Sequence, residues 1–388
     1  MESVYLNWAA TSYRKPAVTL QAVNDYLQAN HYQNSNRTLP GMAENGIAFK
    51  TRQILADFFG VNDPAQVLFT QNATMSLNMV LNGLLHRGDH VLTTSMEHNA
   101  VTRPLNLLAQ QGIETTYLAC TKTGQLQPEQ LTAALRTTTK ALVMTHASNV
   151  TGTIMPIREC FALAKQHGLI TILDASQTAG VLPINMADLN IDILIFTGHK
   201  SLLGLPGTGG FCLADGLAEQ IEPWIVGGTG NASASLTQPD FLPDKFEPGT
   251  PNTLGILSLG TSVKAIEHLG LAKIARHEQA LTAYFLAGLA RLPVTVLGPQ
   301  RADQMVPVIS IVAPGFDVGE LGGQLYQQFG IITRCGLHCA PLAHQTIGTF
   351  PTGSVRFSFG YQTTMAKLDY TLTALAQLLK GRAEWKDF

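Results

Sequence analysis

Few residues of this 388-residue chain carry a charge. Asp, Glu, Lys and Arg make up 13% of it and hydrophobic residues 45%, a balance that argues against extended disorder and favours a compact protein. Basic residues are not in excess either, since 25 Lys and Arg stand against 27 Asp and Glu, a formal net charge of −2. Binding to a nucleic-acid backbone draws on a positive surface, so we expect no nucleic-acid partner.

The chain also lacks a long apolar run, and its number of cysteines is odd. Asp, Lys, His or Gly interrupts each apolar stretch before the ~18 residues that a membrane span requires, so no membrane partner is expected. The start, MESVYLNW, lacks the basic-then-apolar pattern of a signal peptide. The cysteines are odd in number and scattered, as in reduced proteins, and they predict a cytoplasmic location. They are Cys120, Cys160, Cys212, Cys335 and Cys339.

Short apolar runs alternate with helix-like stretches along the first two thirds of the chain. Unbroken apolar runs of this kind are typical of strands buried on both faces of a parallel sheet. They occur at 67–70, 90–95, 141–148, 168–176 and 192–198. We therefore predict an α/β large domain over residues 15–258. Two long helices, short strands and a last helix then predict a smaller α+β domain of residues 1–14 and 259–388, and the Gly-, Pro- and Ser-rich segment 227–253 reads as a long functional loop.

Polar residues end several of these apolar runs, where an open α/β sheet binds its ligands. Lys200 follows one run after a Gly-His step, and burial there would favour the neutral, nucleophilic amine that a Schiff-base lysine needs. Asp174 closes another run and could keep a heteroaromatic nitrogen protonated. Together the two residues indicate the cofactor pyridoxal 5'-phosphate (PLP).

The phosphate of such a cofactor requires backbone N–H groups at a helix start together with hydroxyl groups. The segment Thr70-Gln71-Asn72-Ala73-Thr74 opens the first long helix of the large domain with that chemistry. Thr197 and His199 could add side-chain donors.

Each of these residues also has a simpler interpretation when it is considered alone. Asp174 could be a helix cap, His98 in MEHNAV a loop histidine, and Lys200 a solvated surface lysine followed by a turn, GLPGTGG. Their joint position at strand ends of one domain favours a functional site over these separate roles.

Three motifs, YLNWAATS, TGHKSLLGLPGTGG and RCGLHCAPLAH, together resemble the class V aminotransferase-like PLP enzymes of fold type I. The similarity covers nearly the whole chain and lies in the branch of cysteine desulfurases and selenocysteine lyases. It implies a large domain with a mostly parallel central sheet flanked by helices, and a smaller α+β C-terminal domain. Three positions depart from the family's usual residues: Asn7-Trp8 replaces Asp-Asn, Asn72 replaces Gly, and Met75 stands where an acidic residue is common.

The resemblance also implies roles for individual residues. Lys200 would carry PLP as a Schiff base, with His98 stacked on the ring, Asp174 on the ring nitrogen and Gln177 on the ring hydroxyl. The remaining implied cofactor contacts are Ala73, Thr74, Thr197 and His199 at the phosphate, Asn149 beside ring and substrate, and Thr250 on the phosphate of a neighbouring subunit. A homodimer with shared active sites follows from the last of these.

The C-terminal motif RCGLHCA resembles the loop whose last cysteine is the desulfurase nucleophile, here Cys339. Arg334 and His338 are near in sequence and could favour its thiolate, and Arg334 is also a candidate substrate contact. Arg356 in GSVRFSFG matches the arginine that grips the α-carboxylate of the amino-acid substrate, Asn149 being a further substrate contact.

Simpler interpretations remain open for this region as well. Cys339 could be a buried inert cysteine, and Arg356 could be a solvated charge on a strand. A metal cluster of Cys335, His338, Cys339 and His344 is a further alternative, but its spacing matches no common zinc pattern and we expect no metal.

The sequence thus predicts a PLP-dependent cysteine desulfurase that converts L-cysteine to L-alanine, leaves the sulfur on Cys339 as a persulfide, and passes it to an acceptor protein. Alternatives within the same fold are a selenocysteine lyase, a cysteine sulfinate desulfinase and an aminotransferase. A non-catalytic sulfur-relay scaffold is the alternative from a different class.

Overall fold

The structure is a computed structural model that describes residues 3–29 and 39–383. Within these ranges the strands are β1 (Val4–Tyr5), β2 (Val67–Thr70), β3 (His90–Thr94), β4 (Glu114–Leu118), β5 (Thr139–Thr145), β6 (Ile170–Asp174), β7 (Ile193–Thr197), β8 (Gly209–Leu213), β9 (Thr295–Leu297), β10 (Val308–Val312), β11 (Ile331–Ile332), β12 (Arg334–Gly336) and β13 (Ser354–Ser358). The helices are α1 (Ala17–Gln28), α2 (Leu39–Phe59), α3 (Ala73–Leu84), α4 (Asn99–Ala109), α5 (Glu129–Ala134), α6 (Ile157–Gln166), α7 (Thr253–Leu269), α8 (Leu271–Leu289), α9 (Val318–Phe329), α10 (Pro341–Ile347) and α11 (Met365–Ala383).

A seven-stranded sheet in the order β2-β8-β7-β6-β5-β3-β4 forms the centre of the large region. Only β8 runs antiparallel to its neighbours, so the prediction of a mostly parallel sheet is confirmed. Strand β5 shows why its residues are apolar at successive positions: Ala141 and Val143 pack into the core with α3 and α4, whereas Leu142 and Met144 pack into the opposite core with α2, α6 and α7. Both faces of the sheet are therefore covered by helices.

A second, antiparallel sheet in the order β12-β13-β10-β9 lies in the C-terminal region. Its apolar face packs against α8, α9 and α11 and includes Val355, Phe357 and Phe359. The short strand β1 pairs with β11, so the N terminus is attached to this region. The division into domains at 14/15 and 258/259 stays a prediction, and residue 258 lies inside α7. Residues 227–252, all of them described, form neither helix nor strand.

Two strands of the central sheet have no counterpart in the apolar pattern of the sequence. Strand β8 begins with Gly209-Gly210, which we interpreted as part of a turn, and a side chain at Gly210 would collide with the carbonyl oxygen of Leu68 on β2. Strand β4 is an edge strand of sequence ETTYL, mostly exposed or half-buried. Strand β8 was missed because close packing requires glycine where an apolar residue would have marked a strand. Strand β4 was missed because an edge strand can be polar.

Across the described ranges, no helix has the length and hydrophobicity that a bilayer crossing demands.

Candidate active site

Four adjacent parallel strands end at one edge of the central sheet. Strands β3, β5, β6 and β7 are neighbours, and Thr145 at the end of β5 is level with Asp174 at the end of β6. The residues that follow these ends therefore meet in one place. They include the predicted site residues His98, Asn149, Asp174, Gln177, Thr197, His199 and Lys200.

Lys200 lies in the turn that follows β7. Burial lowers the pKa of its amine to about 8; Asp174 opposes this shift, whereas the positive charges of Arg356 and Arg334 add to it. A substantial fraction of the amine is therefore neutral near physiological pH, as a nucleophile or a proton acceptor requires. The same interactions show that Lys200, Asp174 and the two arginines of the C-terminal region share one electrostatic environment.

The carbonyl oxygen of His199, just before Lys200, is surrounded by donors from the N-terminal segment. It accepts hydrogen bonds from the backbone N–H of Ser12 (3.0 Å), the Ser12 hydroxyl (2.9 Å), the Thr11 hydroxyl (3.1 Å) and Lys15 Nζ (3.1 Å). The His199 ring also contacts the Thr11 hydroxyl at 3.1 Å. The motif after β1 thus fixes the turn that carries Lys200, a role for Lys15 that sequence reasoning missed.

His98 lies just before α4 and serves as its N-cap, because Nδ1 accepts a hydrogen bond from the backbone N–H of Ala100 at 3.0 Å. Burial, together with the positive charge of Lys200, lowers its pKa to about 4, although the charge of Asp174 opposes this shift. The ring is therefore neutral at physiological pH. His98 therefore has the structural role of a cap, and the charges of Lys200 and Asp174 also act on its ring.

Glu97, the residue before His98, is fully buried and was missed by sequence reasoning. It accepts hydrogen bonds from the Thr94 hydroxyl at 2.6 Å and from the backbone N–H of Thr145 at 3.0 Å. Burial raises its pKa to about 8. A protonated carboxyl group thus joins the ends of β3 and β5, and an acidic residue directly after an apolar strand was the available signal.

Asp174 and Gln177 lie in the turn that follows β6. Asp174 is buried, and its Oδ1 accepts a hydrogen bond from the backbone N–H of Ser176 at 2.9 Å. A turn and not a helix follows β6, so the alternative of a helix cap is wrong, although the carboxylate does hold this turn. Gln177 donates to the carbonyl oxygen of Ala9 at 3.2 Å. Thr197 at the end of β7 has a buried hydroxyl without a partner in the described residues.

The start of α3 follows β2 at the same edge of the sheet. Asn72 is its N-cap and accepts a hydrogen bond from the backbone N–H of Met75 at 2.9 Å. Ala73 and Thr74 form the first turn; Ala73 is buried and Thr74 is exposed. Asn72 therefore has a definite structural role at a position where the resembling family usually has glycine. Thr250 is exposed in the long loop 227–252.

Arg356 on β13 is only 1% exposed, so the interpretation as a solvated surface charge is wrong. It donates to the carbonyl oxygen of Asn149 at 2.8 Å and to Asn7 Oδ1 at 3.2 Å, while its Nε has no partner in the described residues. Burial lowers its pKa to about 9. A buried guanidinium held by neutral groups needs an anion, and the carboxylate of a substrate would supply one.

Cys339 follows β12 and is exposed, so the alternative of a buried inert cysteine is wrong. Arg334, level with Arg356 on the neighbouring strand, places its guanidinium nitrogen 3.4 Å from Cys339 Sγ. The large region holds this loop through two hydrogen bonds of 2.7 Å: from the backbone N–H of Asn99 to the carbonyl oxygen of Cys339, and from Asn149 Nδ2 to that of His338.

His338 does not supply a positive charge near Cys339, one of the two ways in which we expected it to favour the thiolate. It is buried, burial lowers its pKa to about 2, and its two ring nitrogens contact the carbonyl oxygen of Arg334 and the ring of His344. Cys335 packs in the apolar core beside α9, close to Gly322. No group of three or more His, Cys, Asp or Glu side chains in the described ranges is arranged to hold a metal ion.

Sequence reasoning therefore found most of the residues at the strand ends but missed those that hold the two regions together. Asn7 was noted only as a departure from the resembling family, yet its side chain contacts Arg356. Asn99 acts through its backbone, which leaves no signal in the sequence. His344 stood only in a metal alternative, and its spacing of six residues from His338 predicted no contact.

The chain is similar to known proteins over most of its length. The model of the family described as aminotransferase class-V matches residues 4–371. A cysteine desulfurase of Yersinia pestis bv. Antiqua (strain Angola) is 33% identical over 350 residues, which cover 87% of this chain and 84% of that protein. The apo structure of a cysteine desulfurase from Thermococcus onnurineus NA1 has a TM-score of 0.90 at 29% identity, covering 98% of this chain and 95% of that one. A cysteine desulfurase of Escherichia coli in its S-sulfonic acid form has a TM-score of 0.86 at 24% identity, covering 97% and 95%, a likeness in fold alone.

Proposed function

The chain belongs to the aminotransferase class-V family, and from this premise we propose that it is a PLP-dependent cysteine desulfurase. It converts L-cysteine to L-alanine and retains the sulfur as a persulfide on Cys339. The observation that carries the proposal is the meeting of two nucleophiles: Cys339, with Arg334 at its sulfur, lies within electrostatic range of Lys200 at the sheet edge. The predicted fold class, fold type I, is confirmed by the structural relatives.

The residues at the sheet edge fit PLP. Two buried polar atoms there, Thr197 Oγ1 and Asn149 Oδ1, lack a partner within the described part of the chain, and so does Nε of Arg356 on β13, which donates to the Asn149 carbonyl. A bound cofactor with its amino-acid substrate offers acceptors and donors for such atoms, which would otherwise be costly to bury. We propose that Lys200 holds PLP covalently, Asp174 its ring nitrogen, His98 its ring face and Gln177 its hydroxyl.

The remaining proposed contacts are with the cofactor phosphate. It would accept hydrogen bonds from the backbone N–H groups of Ala73 and Thr74 at the start of α3. The side chains of Thr197 and His199 would be further donors. When bound, PLP supplies an electron sink that stabilises negative charge on the substrate carbon atoms next to its ring. A neutral His98 ring can stack without adding a positive charge to that sink.

The chain's own residues can carry out the remaining chemistry. Arg356 binds the substrate carboxylate, and Lys200, with its lowered pKa, accepts the proton of the α-carbon. The Cys339 thiolate then attacks the substrate sulfur. A sulfur–sulfur bond forms, the bond between that sulfur and the β-carbon breaks, and its electron pair stays with the β-carbon, which takes up a proton. Return of the first proton from Lys200 to the α-carbon then gives alanine.

A single incubation tests the proposal. The PLP-loaded protein is mixed with L-cysteine, and alanine is measured together with the sulfide that a reductant releases. We expect equal amounts of both, and, without reductant, one added sulfur atom on the Cys339 peptide by mass spectrometry. Turnover that requires a keto acid would instead indicate transamination, and no turnover with any amino acid would indicate a non-catalytic scaffold.

We further propose that the protein acts as a homodimer with shared active sites. The long loop 227–252 and its flank expose the apolar side chains of Val226, Leu236 and Phe241, an unusual cost for a surface that stays in water. Thr250 in the same loop would reach the phosphate bound by the second copy. Sedimentation should show a dimer at working concentration, and a fully active monomer would contradict this arrangement. An acceptor protein for the sulfur and a cytoplasmic location stay predictions.

A further inference from the structure

The loop that carries Cys339 adopts an unfavourable backbone conformation. His338 and Cys339 have φ angles of 51° and 58°, in the left-handed region that residues with a side chain rarely occupy. Two successive residues in this region require support from their surroundings. Part of that support comes from the hydrogen bonds of Asn99 and Asn149 described above, and part comes from within the loop.

A row of buried side chains supports the loop from behind. His338 Nε2 lies 3.2 Å from the carbonyl oxygen of Arg334, His338 Nδ1 lies 3.3 Å from His344 Nε2, and His344 Nδ1 lies 2.7 Å from the Thr349 hydroxyl. Both histidines are at most 2% exposed. We call these three residues the histidine row.

The positions of the hydrogen atoms in the histidine row follow from its chemistry. A carbonyl oxygen can only accept, so His338 Nε2 carries the hydrogen and donates it to Arg334. Burial lowers the pKa of His338 to about 2 and that of His344 to about 4, so both rings are neutral and have one N–H each. His338 Nδ1 is therefore an acceptor, His344 Nε2 donates to it, and the Thr349 hydroxyl donates to His344 Nδ1.

The middle residue of the histidine row, His344, lies on a helix that packs against the large region. His344 lies in α10, whose Ala343 packs into the core of the large region. On the same helix, Thr346 donates a hydrogen bond to the Ser95 hydroxyl, just after β3, at 2.8 Å. His344 is thus a rigid donor aimed at His338, and through His338 it restrains the carbonyl of Arg334, the residue whose guanidinium contacts Cys339 Sγ.

We propose that His344 is a positioning residue for Cys339, holding the left-handed backbone of His338 and Cys339 in place through the ring of His338. The proposal rests on the proposed function, because it assigns the purpose of this restraint to the attack of Cys339 on the substrate sulfur. His344 itself touches neither Cys339 nor, by its position behind the loop, the substrate.

Two substitutions of His344 separate positioning from packing. In His344→Gln, the amide nitrogen can take the place of Nε2 and donate to His338. In His344→Leu, a side chain of similar size fills the space but cannot donate. His344→Met is a second variant without a donor, and its flexible side chain can fill the same space.

The experiment measures two properties of each PLP-loaded variant. The first is the pair kcat and KM for alanine formation from L-cysteine, and the second is the rate at which iodoacetamide alkylates the Cys339 peptide at pH 7, followed by mass spectrometry. We expect His344→Leu to lower kcat by about tenfold or more with little change in KM, since small misplacements of reacting groups are costly. Its alkylation should slow as well, because a released loop no longer keeps the Arg334 guanidinium beside the thiol. For His344→Gln, kcat and the alkylation rate should both stay within about threefold of the parent values. This change is much smaller than the loss expected from a misplaced nucleophile.

The proposal is overturned if His344→Leu matches the parent in kcat and alkylation, or if His344→Gln loses as much as His344→Leu while both melt at the same temperature. If His344→Leu does not fold, His344→Met decides: a parent-like kcat and alkylation rate in that variant would overturn the proposal. If the parent itself forms no alanine from cysteine, the proposed function fails, whereas the alkylation contrast still tests the positioning role.

Discussion

The sheet edge and the cysteine loop present their functional groups in opposite ways. At the sheet edge, Lys200, Asp174 and Asn149 lie within a few residues of strands whose buried, apolar residues hold them in place. In the cysteine loop, Cys339 is exposed, its backbone is strained, and side chains from distant parts of the chain hold it. The first arrangement suits a cofactor that must not move, and the second suits a nucleophile that must approach a substrate and then give up its sulfur.

The largest expected effect comes from removing Lys200, the group that we propose holds the cofactor. Lys200→Ala should abolish the absorbance of the lysine-bound cofactor and all turnover, because no other described lysine with a lowered pKa follows a strand end of the central sheet. PLP itself could still bind non-covalently. Spectra and alanine assays check this, and an unchanged spectrum and rate would remove Lys200 from the site.

The second change separates the two regions. Cys339→Ala should lose desulfuration of cysteine yet keep PLP and its spectrum, because the cofactor contacts come from the sheet edge. Cys335→Ala is the matched control: its side chain packs beside α9, so it should keep turnover and lose only some stability. Persulfide found on Cys335, or a parent rate in Cys339→Ala, would contradict the assignment of the nucleophile.

Selenocysteine adds a further arm to the same comparison. Selenium is a better leaving group than sulfur, so Cys339→Ala could still process selenocysteine while it fails with cysteine. That outcome would show that the residues at the sheet edge support the reaction without Cys339 when the substrate needs no attacking thiol.

A smaller loss is expected when the cofactor stays bound but its electronic character changes. Asp174→Ala should retain some PLP while lowering kcat by roughly two orders of magnitude or more, because the ring nitrogen loses the carboxylate that keeps it protonated. Asp174→Asn keeps the hydrogen-bonding shape without the charge and should resemble Asp174→Ala in rate. Full activity in either variant would leave Asp174 as only the cap of its turn.

The same contrast explains how much of the molecule the sequence predicts. Apolar runs at the right spacing mark β2, β3, β5, β6 and β7, and the polar residue after each run marks the sheet edge, so the cofactor region could be deduced locally. The contact of Arg356 with Asn7 joins residues 349 positions apart. The hydrogen bond from Asn99 to Cys339 uses a backbone N–H group. The contact between His338 and His344 depends on how α10 packs against the loop before it. Such contacts are set by tertiary packing and have no periodicity to detect.

The smallest expected effect concerns stability at the junction of the two regions. Glu278 on α8 is buried in a small cavity lined by Trp8, Ser201 and Tyr361, and its Oε2 has no partner among the described residues. Burial raises its pKa to about 8, so the folded protein keeps a proton that the unfolded chain releases near its ordinary pKa. The unfolded state is therefore favoured progressively as pH rises from about 4.3 towards 8.

Glu278→Gln removes this ionisable group with little change in shape. We expect the variant to have the parent's melting temperature near pH 4.5 and a melting temperature a few degrees higher near pH 8, because only the parent then has to keep a proton or bury a charge. Its kcat and its Cys339 alkylation rate should be unchanged, since Glu278 is not among the residues proposed to bind PLP, the substrate or the cysteine loop. Melting curves at the two pH values decide the point. An equal pH dependence in both proteins would mean that Glu278 is ionised in the folded state, and that the cavity beside Ser201 stabilises a charge rather than excluding one.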